Sequence, residues 1–508
     1  MGFDLIGGGQ RELSGEELVS VSPATPGERL WSGTPVVSHV GDAVLAAREA
    51  LGVWARAPIE RRAAVLQRFA AIAADRADET GRLISRETGK ALWDASGEGK
   101  ALAAKVAITL DDGPGSGRSR VAGGEVGVSE TRVGRCSYRP HGVMAVVGPF
   151  NFPAHLPNGH IVPALLMGNT VVFKPSEKTP AVGEALARMY REALEAEGFP
   201  AGVVNLVQGG RETSVALTTH AGVDGILFTG SWPVGRKILE NNLDRPGRIV
   251  ALEMGGNNPA VVMDDADLRQ AAIEVVRGAF VTTGQRCTCT RRVIVHEAVA
   301  ERFVGALAKM TESIVVGGPE AEGVFFGPPV TRDARDAVVS FQERLAGDGG
   351  EVLVPCRTDV AGVDPDAAYV TPGLVRVDRF TSSDGGDAGC DVEVFGPLLR
   401  VSVVGSFDEA MAQANATRYG LAASVFTGRA ASIERFLVEA RAGCVNVNCA
   451  TAGASGKLPF GGLGASGNHR PAGSASLEYC AYPVASLIES GDAAGLSQGM
   501  GFDEGWLG

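Results

Sequence analysis

No stretch of this sequence is apolar for long enough to cross a bilayer as a helix, which takes about 20 residues. The longest apolar-looking run, Ile161 to Phe173, is broken by Pro163, Gly168, Asn169 and Thr170. The first residues, MGFDLIGGGQRELSGEE, lack a basic region followed by an apolar core, so no secretory or transit signal is expected and a cytoplasmic location is the default. Blocks of Lys and Arg with interleaved aromatics are missing too. With 47 basic against 59 acidic residues the formal charge is −12, which opposes binding to nucleic-acid phosphates. Cysteine is sparse and scattered, eight in 508 residues, which argues against a disulfide framework. Cys287 and Cys289 form a C-x-C pair, but no second pair or His cluster stands at zinc-site spacing, so no metal is expected. Hydrophobic residues at 45% and charged residues at 21% exclude disorder on a large scale.

The chain is long enough for two to four domains at roughly 100–200 residues each. Residues 42–95 carry apolar side chains at helical spacing. GPGSG (113–117) is a break, and Glu125 to Tyr138 alternates like a hairpin or a pair of edge strands. From Gly142 the pattern changes to short strand-like runs: VMAVV (143–147), TVVF (170–173), VVNLV (203–207), GILFTG (225–230) and RIVALEMGG (248–256). Thr179-Pro180 offers an N-cap and a first-turn proline to a helix with Leu186, Met189, Tyr190 and Leu194 on one face. Alternating β and α of this kind predicts a parallel, doubly wound sheet. A second βα-rich region runs from Asn258 to Arg441, and strand-like runs return at 472–487. The Gly-rich, acidic tail from Glu489 is expected to be poorly ordered.

One motif misleads. GLGASG (462–467) matches the dinucleotide fingerprint G-x-G-x-x-G, which needs a preceding strand and a following helix so that the helix N-terminus meets the pyrophosphate. Its flanks, PFGG and NHRPAG, fit neither, so a tight loop is expected there.

The chemistry-bearing residues lie elsewhere. In FVTTGQRCTCTRR (280–292), Cys287 sits beside Arg286 and near Arg291 and Arg292. Cations favour the nucleophilic thiolate, although a buried structural cysteine has the same local sequence. In LEMGGNNP (252–259), Glu253 ends an apolar strand, where catalytic groups of open α/β sheets collect. A strand-end carboxylate bound to backbone amides is the plainer alternative. Asn151 follows the strand VMAVV in a loop, where its amide can donate to an oxyanion. Lys174 and Glu177 follow the next strand within reach of hydroxyls or phosphates, and Gly230 and Ser231 precede a helix start suited to an anion.

Taken together and in order, GPFNFP, KPSE, FTGS, LEMGGNNP, GQRC, EVFGP and PFGGLGASG resemble the aldehyde dehydrogenase superfamily from about residue 15 to 487. HLPNGH, QRCTC and GNHRP make the finer resemblance one to the N-succinylglutamate 5-semialdehyde dehydrogenases. Where that group usually carries V-N-W-N-K, this chain has Val447 and Cys449, which leaves the aldehyde's tail open.

The resemblance implies an α/β fold with a Rossmann-type parallel-sheet cofactor domain, an α/β catalytic domain and a small β oligomerisation element. The expected bounds are 1–115 with 140–252 for NAD binding, 253–441 for catalysis, 116–139 with 471–487 for oligomerisation, and 488–508 for the tail. It implies Cys287 as nucleophile, Asn151 as oxyanion donor and Glu253 as general base. It implies NAD as cofactor, with Lys174 and Glu177 on the adenosine ribose, Gly230, Ser231 and Gly235 near the pyrophosphate, and Glu393 and Phe395 near the nicotinamide ribose. The expected partners are a small aldehyde and further copies of the chain in a homodimer or homotetramer. A carboxylated aldehyde needs a local cation, for which Arg286, Arg291, His469 and Arg470 are the candidates. Three other readings stay open: another carboxylated or amino semialdehyde as substrate, a binding protein on the same fold, and acylation of coenzyme A. A carboxylate placed to activate water disfavours the last.

Overall fold

The protein is described by a computed structural model covering residues 2–491 and 494–508. Its first seven-stranded sheet runs in the order Ile249–Glu253, Gly225–Thr229, Val143–Val147, Thr170–Lys174, Val204–Leu206, Gly2–Ile6, Gly9–Leu13. The first five are parallel, and the N-terminal hairpin joins antiparallel to Val204–Leu206. Val143–Val147 and Thr170–Lys174 are buried at every position. That burial on both faces is why they read as unbroken apolar runs rather than alternating ones. Along the chain the strands fill the sheet outward from Val143–Val147, first to one side and then to the other. The reversal falls between Val143–Val147 and Gly225–Thr229, and open α/β sheets bind ligands at such a crevice beyond the strands' carboxyl ends.

The second seven-stranded sheet runs Glu351–Val354, Gly373–Arg376, Leu398–Val404, Thr290–His296, Asn258–Val262, Ala422–Phe426, Cys444–Val447. All pairs but the first are parallel. Its last strand therefore lies past the boundary expected at 441. A third, three-stranded sheet joins Gly124–Gly127, Arg132–Pro140 and Ala481–Glu489, all antiparallel. Ala481–Glu489 extends two residues beyond the expected limit of 487. Most of the run before it, Ser474–Cys480, is a 3₁₀ turn rather than strand. The tail expected from 488 begins inside the strand; Glu504–Leu507 forms one 3₁₀ turn, and residues 492 and 493 lie outside the described residues.

One other local expectation, the Thr179 side-chain cap, is corrected, and two helical regions take their detail from the structure. The helical stretch expected over 42–95 is four helices, His39–Arg56, Ile59–Asp75, Ala77–Thr88 and Leu92–Leu110. His155–Leu166 is a helix despite Pro157 and Pro163. Thr179 does not cap the helix Pro180–Ala196 with its side chain. The carboxylate of Glu87 does so instead, accepting from the amides of Ala181 (3.0 Å) and Val182 (2.9 Å). Burial pushes the Glu87 carboxyl up to about 7 in spite of those bonds.

A second buried carboxylate ties the helical layer to the loop carrying Asn151. Glu98 Oε1 accepts from the amides of Ala154 (3.0 Å) and His155 (3.1 Å), and Oε2 pairs with Lys90 Nζ at 2.7 Å. Both side chains are fully buried, so removing one strands the other's charge. Glu98→Ala is expected to cost about 3–5 kcal/mol, read as a lower denaturant midpoint in urea unfolding followed by circular dichroism. A loss below about 1 kcal/mol, the scale of an exposed pair, would contradict this account of the layer.

Candidate active site

Four carboxyl-terminal strand ends of the first sheet meet segments that flank the second sheet, around Cys287 and Glu393–Phe395, across a cavity of about 1110 Å³. Nine of the residues singled out from the sequence line it: Asn151, Lys174, Glu177, Gly230, Ser231, Glu253, Cys287, Glu393 and Phe395. Four strand ends supply most of them, which places residues from 151 to 253 at one edge.

Cys287 is presented by a constrained turn. Thr282 and Thr283 just upstream both adopt left-handed backbone, φ 57° each. A β-branched residue rarely does so, at a cost of about 1–3 kcal/mol apiece. Both are held by side-chain bonds, Thr282 Oγ1 to Asp94 Oδ2 at 2.5 Å and Thr283 Oγ1 to the Gly327 carbonyl at 3.0 Å. Cys287 is half-buried, whereas Cys289 is fully buried with its Sγ 3.8 Å from the Val281 carbonyl. Of the pair, only Cys287 reaches the cavity.

The neighbouring arginines do not act on Cys287 as the sequence suggests. Arg286 turns away, donating to Asp94 Oδ1 and to Thr282 Oγ1, both at 2.7 Å. Arg291 is buried and donates to the carbonyls of Gly396 (2.9 Å) and Arg286 (3.2 Å). Burial instead pushes the Cys287 thiol up, and the carboxyls of Glu253 and Glu393 push it further.

Glu253 ends its strand inside the cavity wall, and burial raises its carboxyl well above the ordinary range. Its Oε1 is buried without a hydrogen-bond partner among the described residues. GLGASG, the false fingerprint, explains the burial: it is a loop laid along the strand Ile249–Glu253. The Met254 amide donates to the Ser466 carbonyl (2.9 Å) and the Leu252 amide to Asn468 Oδ1 (2.8 Å). Asn151 is buried, and one N–H of its amide donates to the Gln285 carbonyl at 2.9 Å, two residues before Cys287. An amide nitrogen has two hydrogens, so a second donor remains.

Lys174 is buried, with Nζ on the carbonyls of Pro175 (2.6 Å) and Gly209 (2.5 Å) and 3.9 Å from Glu177 Oε2. Burial lowers its ammonium to about 8. Gly230 and Ser231 lead into the helix Trp232–Glu240, whose amino end faces the cavity. Glu393 Oε1 accepts from the Gly256 amide at 3.1 Å, and a Cβ on Gly255 would fall 1.8 Å from Glu393 Oε2. Phe395 packs edge-on to Phe150, with ring centroids 5.8 Å apart.

Five residues singled out from the sequence do not line the cavity: Gly235, Arg286, Arg291, His469 and Arg470. Gly235 sits inside its helix, where a Cβ would meet Met254 Sδ at 2.3 Å, so its role is close packing. His469 and Arg470 are exposed, both in left-handed backbone. Cavity-lining residues that sequence reasoning missed include Lys105, His155 and His160. HLPNGH singled out the stretch holding both histidines, but nothing local marked Lys105. The described residues contain no cluster of His, Cys, Asp or Glu able to hold a metal ion.

The sequence matches the model of the aldehyde dehydrogenase family over residues 12–484. It is 47% identical over 494 residues to N-succinylglutamate 5-semialdehyde dehydrogenase 2 of Caulobacter vibrioides, covering 96% of each chain. Among solved structures, PnpE in complex with nicotinamide adenine dinucleotide superposes with a TM-score of 0.88 at 29% identity, covering 97% of this chain and 98% of that one. Glyceraldehyde-3-phosphate dehydrogenase GapN of Methanocaldococcus jannaschii, complexed with NADP, gives 0.84 at 26%, covering 94% and 100%. A Cys287, a buried strand-end Glu253 and a large cavity at the sheet's switch point thus coincide with a match over nearly the whole chain: this protein belongs to the aldehyde dehydrogenase family and is an aldehyde-oxidising oxidoreductase.

Proposed function

We propose that the protein oxidises N-succinylglutamate 5-semialdehyde to N-succinylglutamate, with NAD as cofactor and water as the final acyl acceptor. The observation that carries the chemistry is the convergence of Cys287, Glu253 and Asn151 on one cavity. The succinylated substrate is supported by the identity to relatives that bear its name, between 41% and 47% over at least 93% of this chain.

Cys287 Sγ attacks the aldehyde carbon as its proton passes to solvent water. The free N–H of Asn151 and the Cys287 amide donate to the oxygen as it becomes an oxyanion, each donor worth roughly 3–4 kcal/mol in the transition state. A nicotinamide dinucleotide, when bound, supplies the acceptor for the hydride that leaves this carbon. The acyl group then rests on Sγ as a thioester. Ionised Glu253 takes a proton from water, which attacks the acyl carbon and releases the acid and the Cys287 thiol.

The cofactor fits the residues present. The amino end of Trp232–Glu240 offers free amides to a pyrophosphate. Glu177 is half-exposed at the cavity rim and can accept from both ribose hydroxyls. The same carboxylate repels a 2′-phosphate, which favours NAD over NADP. In this reading the first sheet with its helices, 1–115 and 140–252, binds the cofactor, and the second sheet carries the nucleophile's domain. The third sheet leaves Val126, Leu487 and Ile488 exposed, which suits burial between copies in a homodimer or homotetramer.

Cys287→Ala is expected to abolish NADH formation while NAD binding, followed by calorimetry, changes by less than about threefold. Retained turnover would overturn the nucleophile's assignment. Across a panel of semialdehydes assayed by NADH absorbance, kcat/KM is expected to be highest for the N-succinylated one, by about tenfold or more. Equal values across the panel would overturn the substrate reading. Light scattering is expected to give a multiple of the 52.5 kDa chain mass, and an active monomer would contradict the role of the third sheet.

A further inference from the structure

Three lysines are buried among the described residues, Lys90, Lys105 and Lys174. A buried ammonium is costly unless an anion accompanies it. Lys90 has Glu98 at 2.7 Å and Lys174 has Glu177 at 3.9 Å. Lys105 has no carboxylate within salt-bridge distance among the described residues, yet its side chain lines the cavity. Its Nζ donates to Ser476 Oγ at 2.9 Å and to the Gly473 carbonyl at 3.2 Å, so one of three N–H donors is left over.

The surroundings offer no hidden counter-charge. The helix Leu92–Leu110 presents Ala101, Ala104 and Ile108 to the cavity beside Lys105. Its acids are spent, Glu98 on Lys90 and Asp94 on Arg286. From His155–Leu166 come His155 and His160, whose imidazoles burial pushes toward the neutral form. His160 is satisfied by Tyr479 Oη (2.7 Å) and Thr229 Oγ1 (3.1 Å), while His155 Nδ1 has no partner. From the turn Ser474–Cys480 come hydroxyls and the Cys480 thiol, which burial holds in its neutral form.

We propose that Lys105 is the specificity-determining cation of this enzyme, holding a carboxylate of the aldehyde substrate. The inference rests on the reading of the substrate as a carboxylated aldehyde. It replaces Arg286, Arg291, His469 and Arg470, whose side chains the cavity does not reach. An ammonium left with one unused donor matches a single carboxylate oxygen, and the incoming anion supplies the counter-charge that the fold omits.

The test compares kcat/KM for N-succinylglutamate 5-semialdehyde with that for hexanal, in wild type, Lys105→Met and Lys105→Arg. The wild-type ratio is expected to favour the succinylated aldehyde, to fall roughly 10- to 100-fold in Lys105→Met, and to recover in part in Lys105→Arg. A loss of packing alone would lower both substrates together and leave the ratio in place. On the unmodified enzyme, saturating N-succinylglutamate is expected to shield Lys105 from acetic anhydride, read by peptide mass mapping. This arm holds even where Lys105→Met does not fold. A wild-type preference that survives Lys105→Met, or a Lys105 acetylated equally with and without N-succinylglutamate, would overturn the inference and leave the substrate reading standing. A wild type with no preference between the aldehydes would overturn the substrate reading itself.

Discussion

The site depends on one loop closing the edge of one sheet. Ile249–Glu253 is the last strand of the first sheet and would otherwise show unpaired amides and carbonyls to solvent. Residues 461–468, from the far end of the chain, cover it. Asn468 brackets the strand, its amide donating to the Leu252 carbonyl (3.2 Å) and its side-chain nitrogen to the Val250 carbonyl (3.0 Å). The approach needs glycine. At Gly467, φ 145°, a Cβ would lie 2.3 Å from the Leu252 carbonyl oxygen, and at Gly461, φ 151°, it would lie 2.7 Å from Glu253 Oε1. The closure takes Glu253 out of water and leaves its carboxyl facing the cavity that Cys287 shares. Burial raises the Glu253 carboxyl, and that carboxyl in turn adds to the rise of the Cys287 thiol.

Buried cations in this interior are claimed by fixed partners, carboxylates for some and backbone carbonyls for others. Arg286 belongs to Asp94, Lys90 to Glu98, and Arg292 to the carbonyls of Asn257, Gln413 and Ala414. Such pairs hold loops rather than substrates: Glu98 fixes the start of the helix after Asn151, and Asp94 fixes the turn before Cys287. The unpaired groups are the ones with chemistry left to do.

The parallel strands were legible because burial on both faces writes them as continuous apolar runs, as in VMAVV. The motif residues at their ends were legible because a strand's carboxyl end is a fixed place. Long-range pairing was not. Nothing near Thr179 shows that Glu87, 94 residues before Ala181, caps the helix in its stead. Nothing near Arg286 shows that Asp94, 192 residues away, has claimed it. The helix His155–Leu166 was hidden for another reason. It is buried almost all round, so it has no polar face to give a helical period, and its prolines look like loop residues.

The central claim is that Cys287 carries the acyl group and Glu253 removes it. Rapid-quench kinetics of Glu253→Gln with an aldehyde and NAD, joined to mass spectrometry of the Cys287 peptide, tests it most directly. The account predicts a burst of about one NADH per active site, then slow turnover, with the acyl mass on Cys287. Steady turnover at the wild-type rate with an unmodified Cys287 peptide would contradict it.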